Sequence, residues 1–176
     1  MTLAAPLPDP APVSAPAMTP DGGRAFRDAL GRFATGVTLV TTQGPHGPVG
    51  FVANSFASVS LDPPLVLWSP ARASTRFPLF RDAAHYAIHI LGVDQFALIA
   101  RFGRQGAGFD GLAHEISPEG VPCLPEALSR FECDRVAAHD GGDHLIIVGH
   151  VRRFALRDGA PLVFSQGAYG GFAQGG

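Results

Sequence analysis

Val37-Thr38-Leu39-Val40-Thr41-Thr42-Gln43-Gly44-Pro45-His46-Gly47-Pro48-Val49-Gly50-Phe51-Val52-Ala53 is the stretch whose reading decides the fold. Val37 to Thr42 is dominated by β-branched residues, Gly44 to Gly47 is turn chemistry, and Pro48 to Ala53 is a second extended run, so the stretch reads as a hairpin. Downstream, a third strand covers about Phe56 to Leu61, Asp62-Pro63-Pro64 breaks it, and Leu65 to Trp68 begins a fourth. Ser69-Pro70 ends that strand, and a short helix starts near Ser74 or at Pro78, because proline is tolerated only in a first turn. His85 to Leu91 reads as a strand with Tyr86, Ile88 and Ile90 on one face, and Asp94 caps a helix to about Phe102. Gly103 to Pro125 reads as loop. Two long strands follow, about Ser129 to Ala138 and His144 to Leu156, joined by Asp140-Gly141-Gly142-Asp143, then a short one at Pro161 to Ser165. Upstream, a helix starts after Thr19-Pro20 or Asp21 and ends at Gly36. Its Phe26, Ala29, Leu30, Phe33 and Ala34 are expected against the core, with Arg24, Arg27 and Asp28 outward. Many strands, few helices and tight turns predict a mainly β chain: an antiparallel barrel with flanking helices, not a doubly wound parallel sheet.

The bulk numbers bound the function. A chain of 176 residues, 46% hydrophobic and 16% charged, is one domain with a real core. A net charge of -2 gives no basic surface for nucleic acid or anionic membranes, leaving small-molecule chemistry. All 13 basic side chains counted as Lys+Arg are arginines. Without lysine there is no Schiff base and no P-loop clamp, so a bound phosphate must meet arginine, hydroxyls or backbone N–H groups. Cys123 and Cys133 are too few for a disulfide scaffold and lack zinc spacing, so they read as buried thiols in a reducing cytoplasm. Met1 to Pro20 is rich in alanine and proline and reads as a flexible tail ahead of a domain over residues 21–176. It lacks the positive start and unbroken apolar run of a signal peptide, and no segment has the roughly 20 apolar residues of a membrane span.

Three motifs are set aside. Gly106 to Gly111 spells G-x-G-x-x-G, yet a helix enters it and a proline-rich loop leaves it, the reverse of a dinucleotide fingerprint. His85 and His89 have helical metal-ligand spacing, but on a strand four residues span about 13 Å, too far for one ion. No G-x-S-x-G element marks a serine hydrolase.

What remains is Gly50-Phe51-Val52-Ala53-Asn54-Ser55-Phe56-Ala57-Ser58-Val59-Ser60-Leu61-Asp62-Pro63-Pro64-Leu65-Val66-Leu67, with Phe33-Ala34-Thr35-Gly36-Val37 before it and Gly142-Asp143-His144 after it. In that order these motifs resemble the flavin reductase family with the FMN-binding split barrel, over about residues 24–172. The resemblance implies a homodimeric six-stranded split barrel holding FMN, or FAD in some members, near the subunit interface. It implies NADH or NADPH as hydride donor, and reduced flavin released to a partner monooxygenase. A flavin carrier without a productive nicotinamide site is an alternative, as is an oxidoreductase that keeps its flavin and acts on its own organic substrate.

The resemblance also assigns residues. Val52, Ala53, Asn54 and Ser55 lie along the flavin, with backbone amides near Ala53 and Asn54 meeting the ring's polar edge. Asn54, the chain's only asparagine, offers an amide to ring or ribityl oxygens, and Ser58, on the same side as Phe56 and Ser60 if the segment is extended, offers a hydroxyl. The loop at Trp68 and Ser69 comes against the flavin, with Trp68 equally readable as core. Ser74, Thr75 and Arg76, with Arg72 nearby, suit a phosphate at a helix start. Arg101, Phe102 and Gly103 end a helix that reaches the cofactor in relatives, where alanine usually stands in place of Gly103. His144 sits on the nicotinamide side as the catalytic candidate, and Tyr169 covers the site or simply packs. No metal is implied.

Overall fold

The structure is a computed structural model that describes residues 20–103 and 108–173. The tail over residues 1–19 and part of the glycine motif, residues 104–107, lie outside them. The chain runs α1 (Pro20–Leu30), β1 (Thr35–Gly36), β2 (Thr38–Gly44), β3 (Gly47–Ala53), β4 (Ala57–Leu61), β5 (Pro64–Trp68), α2 (Phe77–Asp82) and β6 (His85–Ile90). After one 3-10 turn at Val93–Gln95 come α3 (Ala97–Gly103), β7 (Glu115–Ile116), β8 (Pro122–Cys123), β9 (Ser129–Gly141), β10 (His144–Leu156), β11 (Leu162–Ser165) and β12 (Ala168–Gly171).

Seven strands form one antiparallel sheet in the order β3-β2-β6-β9-β10-β5-β4, one more than the expected six because β4 folds back on β5 as an edge hairpin. The two edges, β3 and β4, are consecutive in sequence and separated only by Asn54, Ser55 and Phe56. Four Cα steps of about 3.8 Å reach at most ~15 Å, whereas six strand spacings of a flat sheet cover ~29 Å. The sheet must therefore roll until its edges approach, which makes it a barrel that is split where the tether crosses. Phe56 of the tether stacks on Phe131 of β9 at 5.7 Å between centroids, inside the rolled sheet.

Strand alternation builds two cores. Val40, Phe51, Val66, Trp68, Tyr86, Ile88, Cys133 and Ile147 fill the barrel, and Phe80 of α2 joins them, making edge contacts with Phe51 and Trp68 at 5.6 and 5.3 Å. The opposite face of β2 contributes Leu39 to a second cluster with Leu91, Leu98, Phe102, Phe109 and Leu162, under α3 and the long segment after it. β2 is thus buried on both faces. Two glycines permit close approach: a Cβ at Gly50 would lie 2.5 Å from the Phe102 ring, and one at Gly149 would lie 2.2 Å from the Tyr86 hydroxyl. Burial pushes the Cys133 thiol up to about 12 and the Cys123 thiol to about 11, and both are unpaired, as expected of inert packed thiols.

Several expectations are corrected. α1 stops at Leu30, not Gly36, and Gly36 belongs to β1. Phe26, Leu30 and Phe33 are exposed, Phe33 by 78%, because no described element of this chain lies over them. The helix expected from Asp94 is two pieces; Gln95 turns back to accept the Gly92 N–H, and Asp94 pairs with Arg157 instead of capping. The glycine- and proline-rich segment carries the short β7–β8 ladder, β9 runs on to Gly141, and β12 was not anticipated. Ser58 pairs with Val66 but Ser60 with Leu65, so a bulge at Val59 puts the two serines on opposite faces.

Two polar side chains hold the layers together. Arg76 reaches across to donate from Nη1 to the Gly50 carbonyl at 2.9 Å and the Phe102 carbonyl at 2.7 Å, and its guanidinium lies 4.9 Å from the Phe51 ring centroid. A cation thereby closes the C-terminus of α3 against the edge of β3. His89 is wholly buried; its Nδ1–H donates to the Leu39 carbonyl at 2.9 Å and its Nε2 accepts the Leu124 N–H at 3.0 Å, an assignment dictated by those two partners.

Arg76→Ala is expected to lower unfolding free energy by about 2 kcal/mol, the range for hydrogen bonds from a charged group, while Ser74→Ala changes it little. Urea titration of both variants checks this, and an unaltered Arg76→Ala midpoint contradicts the clamp. Burial lowers the His89 pKa from 6.5 to about 4, so the unfolded chain takes up this proton more readily than the folded one. The contribution of neutral His89 is complete above pH 6.5 and drains as pH falls toward 4. Urea midpoints across that window are expected to fall more steeply for the native chain than for His89→Gln; equal slopes refute the assignment.

Candidate functional site

Around the split, the geometry converges on the tether. Ser55 Oγ donates to the Ser69 carbonyl at 3.1 Å and accepts the Ser69 N–H at 2.9 Å, so the end of β5 is fastened to the link between β3 and β4. Beyond Ser69, the Leu145 N–H donates to the Pro70 carbonyl at 3.1 Å and the Arg72 N–H to the Asp143 carbonyl at 2.8 Å. The Arg72 side chain adds Nε to the Gly142 carbonyl at 3.0 Å and Nη2 to Asp140 at 2.6 Å. This double attachment holds the Gly142-Asp143-His144 turn beside residues 69–72. His144 Nδ1 is 2.8 Å from Asp143 Oδ1, and that hydrogen bond holds the Asp143 carboxyl below its usual range. Among the described residues His144 Nε2 has no partner, and the side chain is 42% exposed.

Two clefts meet at Asn54. The smaller, about 150 Å³, is lined by Val37, Val52, Ala53, Asn54, Phe164 and Tyr169. The larger, about 620 Å³, lies between α1 and the turn from β11 to β12 and includes Thr35, Asn54, Phe164 and Gln166. β3 is a sheet edge, and the Arg76 bond shows that the Gly50 carbonyl points away from β2. Alternation then turns the N–H and C=O of Val52 outward as well. The Ala53 carbonyl instead accepts the Thr38 hydroxyl at 2.8 Å, so the outward backbone group beside Asn54 is that of Val52, not Ala53. The Thr35 hydroxyl is buried at the larger cleft without a partner among the described residues. Outward edge amides, an unpaired hydroxyl and an amide side chain beside aromatic walls fit a planar ring with polar edges, as a flavin has.

The expected residues divide into three groups. Val52, Ala53, Asn54 and Tyr169 share the small cleft, with the Tyr169 ring packed 4.9 Å from Phe164 and 5.6 Å from Phe96. Ser55, Ser69 and His144 are joined to it through the bonds just described. Ser74 and Thr75 follow in the same run of chain, Ser74 half-buried with its hydroxyl accepting the Arg76 N–H at 3.3 Å and Thr75 exposed. Five other side chains lie elsewhere. Trp68 is fully buried in the barrel, so the core reading holds for its indole. Phe102 is fully buried beneath α3, and Arg101 donates to the Gly108 and Asp110 carbonyls. The two Nη atoms of Arg76 donate to carbonyls, including Gly103 at 3.4 Å, and its Nε is buried, which leaves Ser74 and Thr75 as the phosphate candidates of that segment. Ser58 is exposed on β4 and lines neither cleft.

Sequence reasoning passed over Thr35, Phe164 and Gln166. Thr35 stood inside the quoted Phe33 to Val37 motif, and Gln166 precedes a glycine at a turn; both signals were present, but only the paired return of β11 and β12 brings them to Asn54.

Comparison with known proteins agrees with this geometry. The model of the flavin reductase like domain matches residues 30–173. The chain is 61% identical over 154 residues to a protein of Agrobacterium fabrum named FMN reductase (NADH) SmoA, covering 88% of each. Among solved structures it resembles nitrilotriacetate monooxygenase component B from Mycobacterium thermoresistibile, with TM-score 0.81, 38% identity, and 86% and 87% of the two chains covered. It also resembles the Streptomyces globisporus NADH:FAD oxidoreductase SgcE6 in complex with NAD and FAD fragments, with TM-score 0.80, 31% identity, and 89% and 96% covered. A split barrel, a polar-edged cleft at its tether and a family match across both together make this chain a member of the flavin reductase family.

Proposed function

We propose that the protein is an NADH-dependent flavin reductase that takes FMN, with FAD admitted, and supplies reduced flavin to a monooxygenase partner. The observation that carries this reading is the cleft at Asn54, where outward backbone groups of a sheet edge meet an amide and an aromatic wall. When bound, the flavin supplies the hydride-accepting chemistry. The backbone groups of Val52 and Asn54 would hold its polar edge and would favour negative charge there. Phe164 and Tyr169 exclude water from one face. His144, oriented by Asp143, presents Nε2 to the nicotinamide side, and the Arg72 bonds keep that turn in place. Ser74 and Thr75 take the flavin phosphate. The named monooxygenase component among the similar structures supports a partner that consumes the product.

A homodimer is part of the same reading. Leu61, 95% exposed, sits at the tip of the β4–β5 hairpin, and Phe154 and Leu156 lie on the part of β10 that runs past it. Apolar side chains of this size on one edge suit burial against a second copy.

Purified protein mixed with NADH or NADPH and with FMN or FAD is expected to oxidise NADH only when flavin is present. Nucleotide oxidation independent of flavin, or none at all, overturns the reductase reading. Asn54→Ala is expected to lower kcat/KM for flavin about tenfold, one hydrogen bond's worth of ~1.4 kcal/mol. For the dimer, sedimentation is expected to give two copies for the native chain and one for the Leu61→Asp, Phe154→Asp double variant; a native monomer removes this part of the reading.

A further inference from the structure

We propose that the larger cleft, between α1 and the turn joining β11 to β12, holds the diphosphate of NADH, with Arg27 and Arg32 as its counter-charges. The proposal rests on the reductase reading above and extends it to the half of the nucleotide remote from the nicotinamide.

Most of the described arginines are occupied within the fold. Arg72, Arg76 and Arg101 donate to backbone carbonyls, and Arg130, Arg152 and Arg153 pair with carboxylates. The guanidinium groups of Arg24, Arg27, Arg32 and Arg135 have no hydrogen bond or ion pair among the described residues, and of these Arg27 and Arg32 line the same cleft of about 620 Å³. Two unpaired cations beside one concavity, in a chain without lysine and with a net charge of -2, form a local positive site for an anion with several oxygens.

The wall opposite is built for contact. Gln166 has φ 49°, the left-handed conformation that a tight hairpin turn usually gives to glycine or asparagine, and Gly167 follows at φ 81°. The Gln166 N–H donates to the Gly31 carbonyl at 3.0 Å, which pins this turn to the end of α1 and fixes the width of the cleft. On the same lining, the buried Thr35 hydroxyl has no partner among the described residues. Asp28, also on the lining, offsets one of the two positive charges and offers an acceptor for a ribose hydroxyl.

Continuity selects the ligand. Asn54 and Phe164 line both clefts, so a dinucleotide whose nicotinamide meets the flavin held at Asn54 has the larger cleft as its adjoining exit. FMN, a monophosphate assigned to Ser74 and Thr75, leaves this cleft open. FAD carries the same diphosphate chemistry as NADH, and the experiment separates the two.

The test is an Arg27→Ala, Arg32→Ala double variant of the full chain, with thermal unfolding expected to be unchanged because neither side chain has a partner to lose. Calorimetric titration with NAD+ is expected to show binding weakened about tenfold or more, with KM for NADH raised by a similar factor and with kcat and FMN affinity unchanged. Added salt is expected to weaken NAD+ binding to the native chain and to have much less effect on the double variant. Unaltered NAD+ affinity overturns the proposal. Weakened FAD binding with NAD+ unaffected overturns it too, by assigning the arginines to the flavin's diphosphate. Arginine-dependent NAD+ binding in a native chain that oxidises no NADH would instead sustain this site and sink the reductase reading alone.

Discussion

Three residues of tether impose most of this architecture. Asn54, Ser55 and Phe56 connect strands at opposite ends of the sheet order, so pairing every strand is compatible with the covalent chain only if the sheet rolls. Rolling gives the apolar face an interior, which Phe51, Trp68 and Phe80 fill with edge-on aromatic contacts. It also leaves the outer edge of β3 without a strand partner, since the tether spans the gap without laddering across it. The same constraint that makes the core therefore makes the site: backbone groups that a closed barrel would consume remain available beside Asn54.

How much of this was legible follows from the range over which each signal acts. The hairpin of β2 and β3, the break at Asp62 to Pro64 and the two long strands were readable because β-branched runs and turn residues act locally. The extent of α1 was misread because its apolar spacing continues through Phe33 after the helix itself has ended at Leu30. Its exposed face shows that amphipathic spacing reports the need for cover and not the source of it. Similarly, the bulge at Val59 depends on register against β5, which alternation within β4 alone cannot reveal.

At the candidate site, local motifs pointed to the tether and the turn at His144, whereas long-range partners set what each side chain touches. Arg76 looked like a phosphate ligand beside Ser74 and Thr75, yet Gly50 and Phe102, 26 residues away on either side, claim its donors. Trp68 was open between core and cofactor until the rolled sheet enclosed it. In a chain whose only fixed cations are arginines, guanidinium groups serve as structural fasteners first: across β9 and β10, Arg152 and Arg153 share Glu119 and bind Asp134 and Glu132 respectively. The distribution of arginines is thus as informative as their number, because those left outside such networks are the ones with charge to offer a ligand.

The contact between Tyr86 and Gly149 bears on how this core can change. The phenol occupies the volume that any side chain at position 149 would need, and Tyr86 is almost wholly buried. The ring's bulk and the missing side chain are therefore two halves of one steric agreement, written on strands β6 and β10 far apart in sequence. Neither half can be revised alone without leaving either a collision or a void. A homologue that carries alanine or a larger residue at the glycine position should accordingly show a shorter side chain at the tyrosine position, and covariation between these two sites would mark the inside of the barrel more sharply than hydrophobicity does.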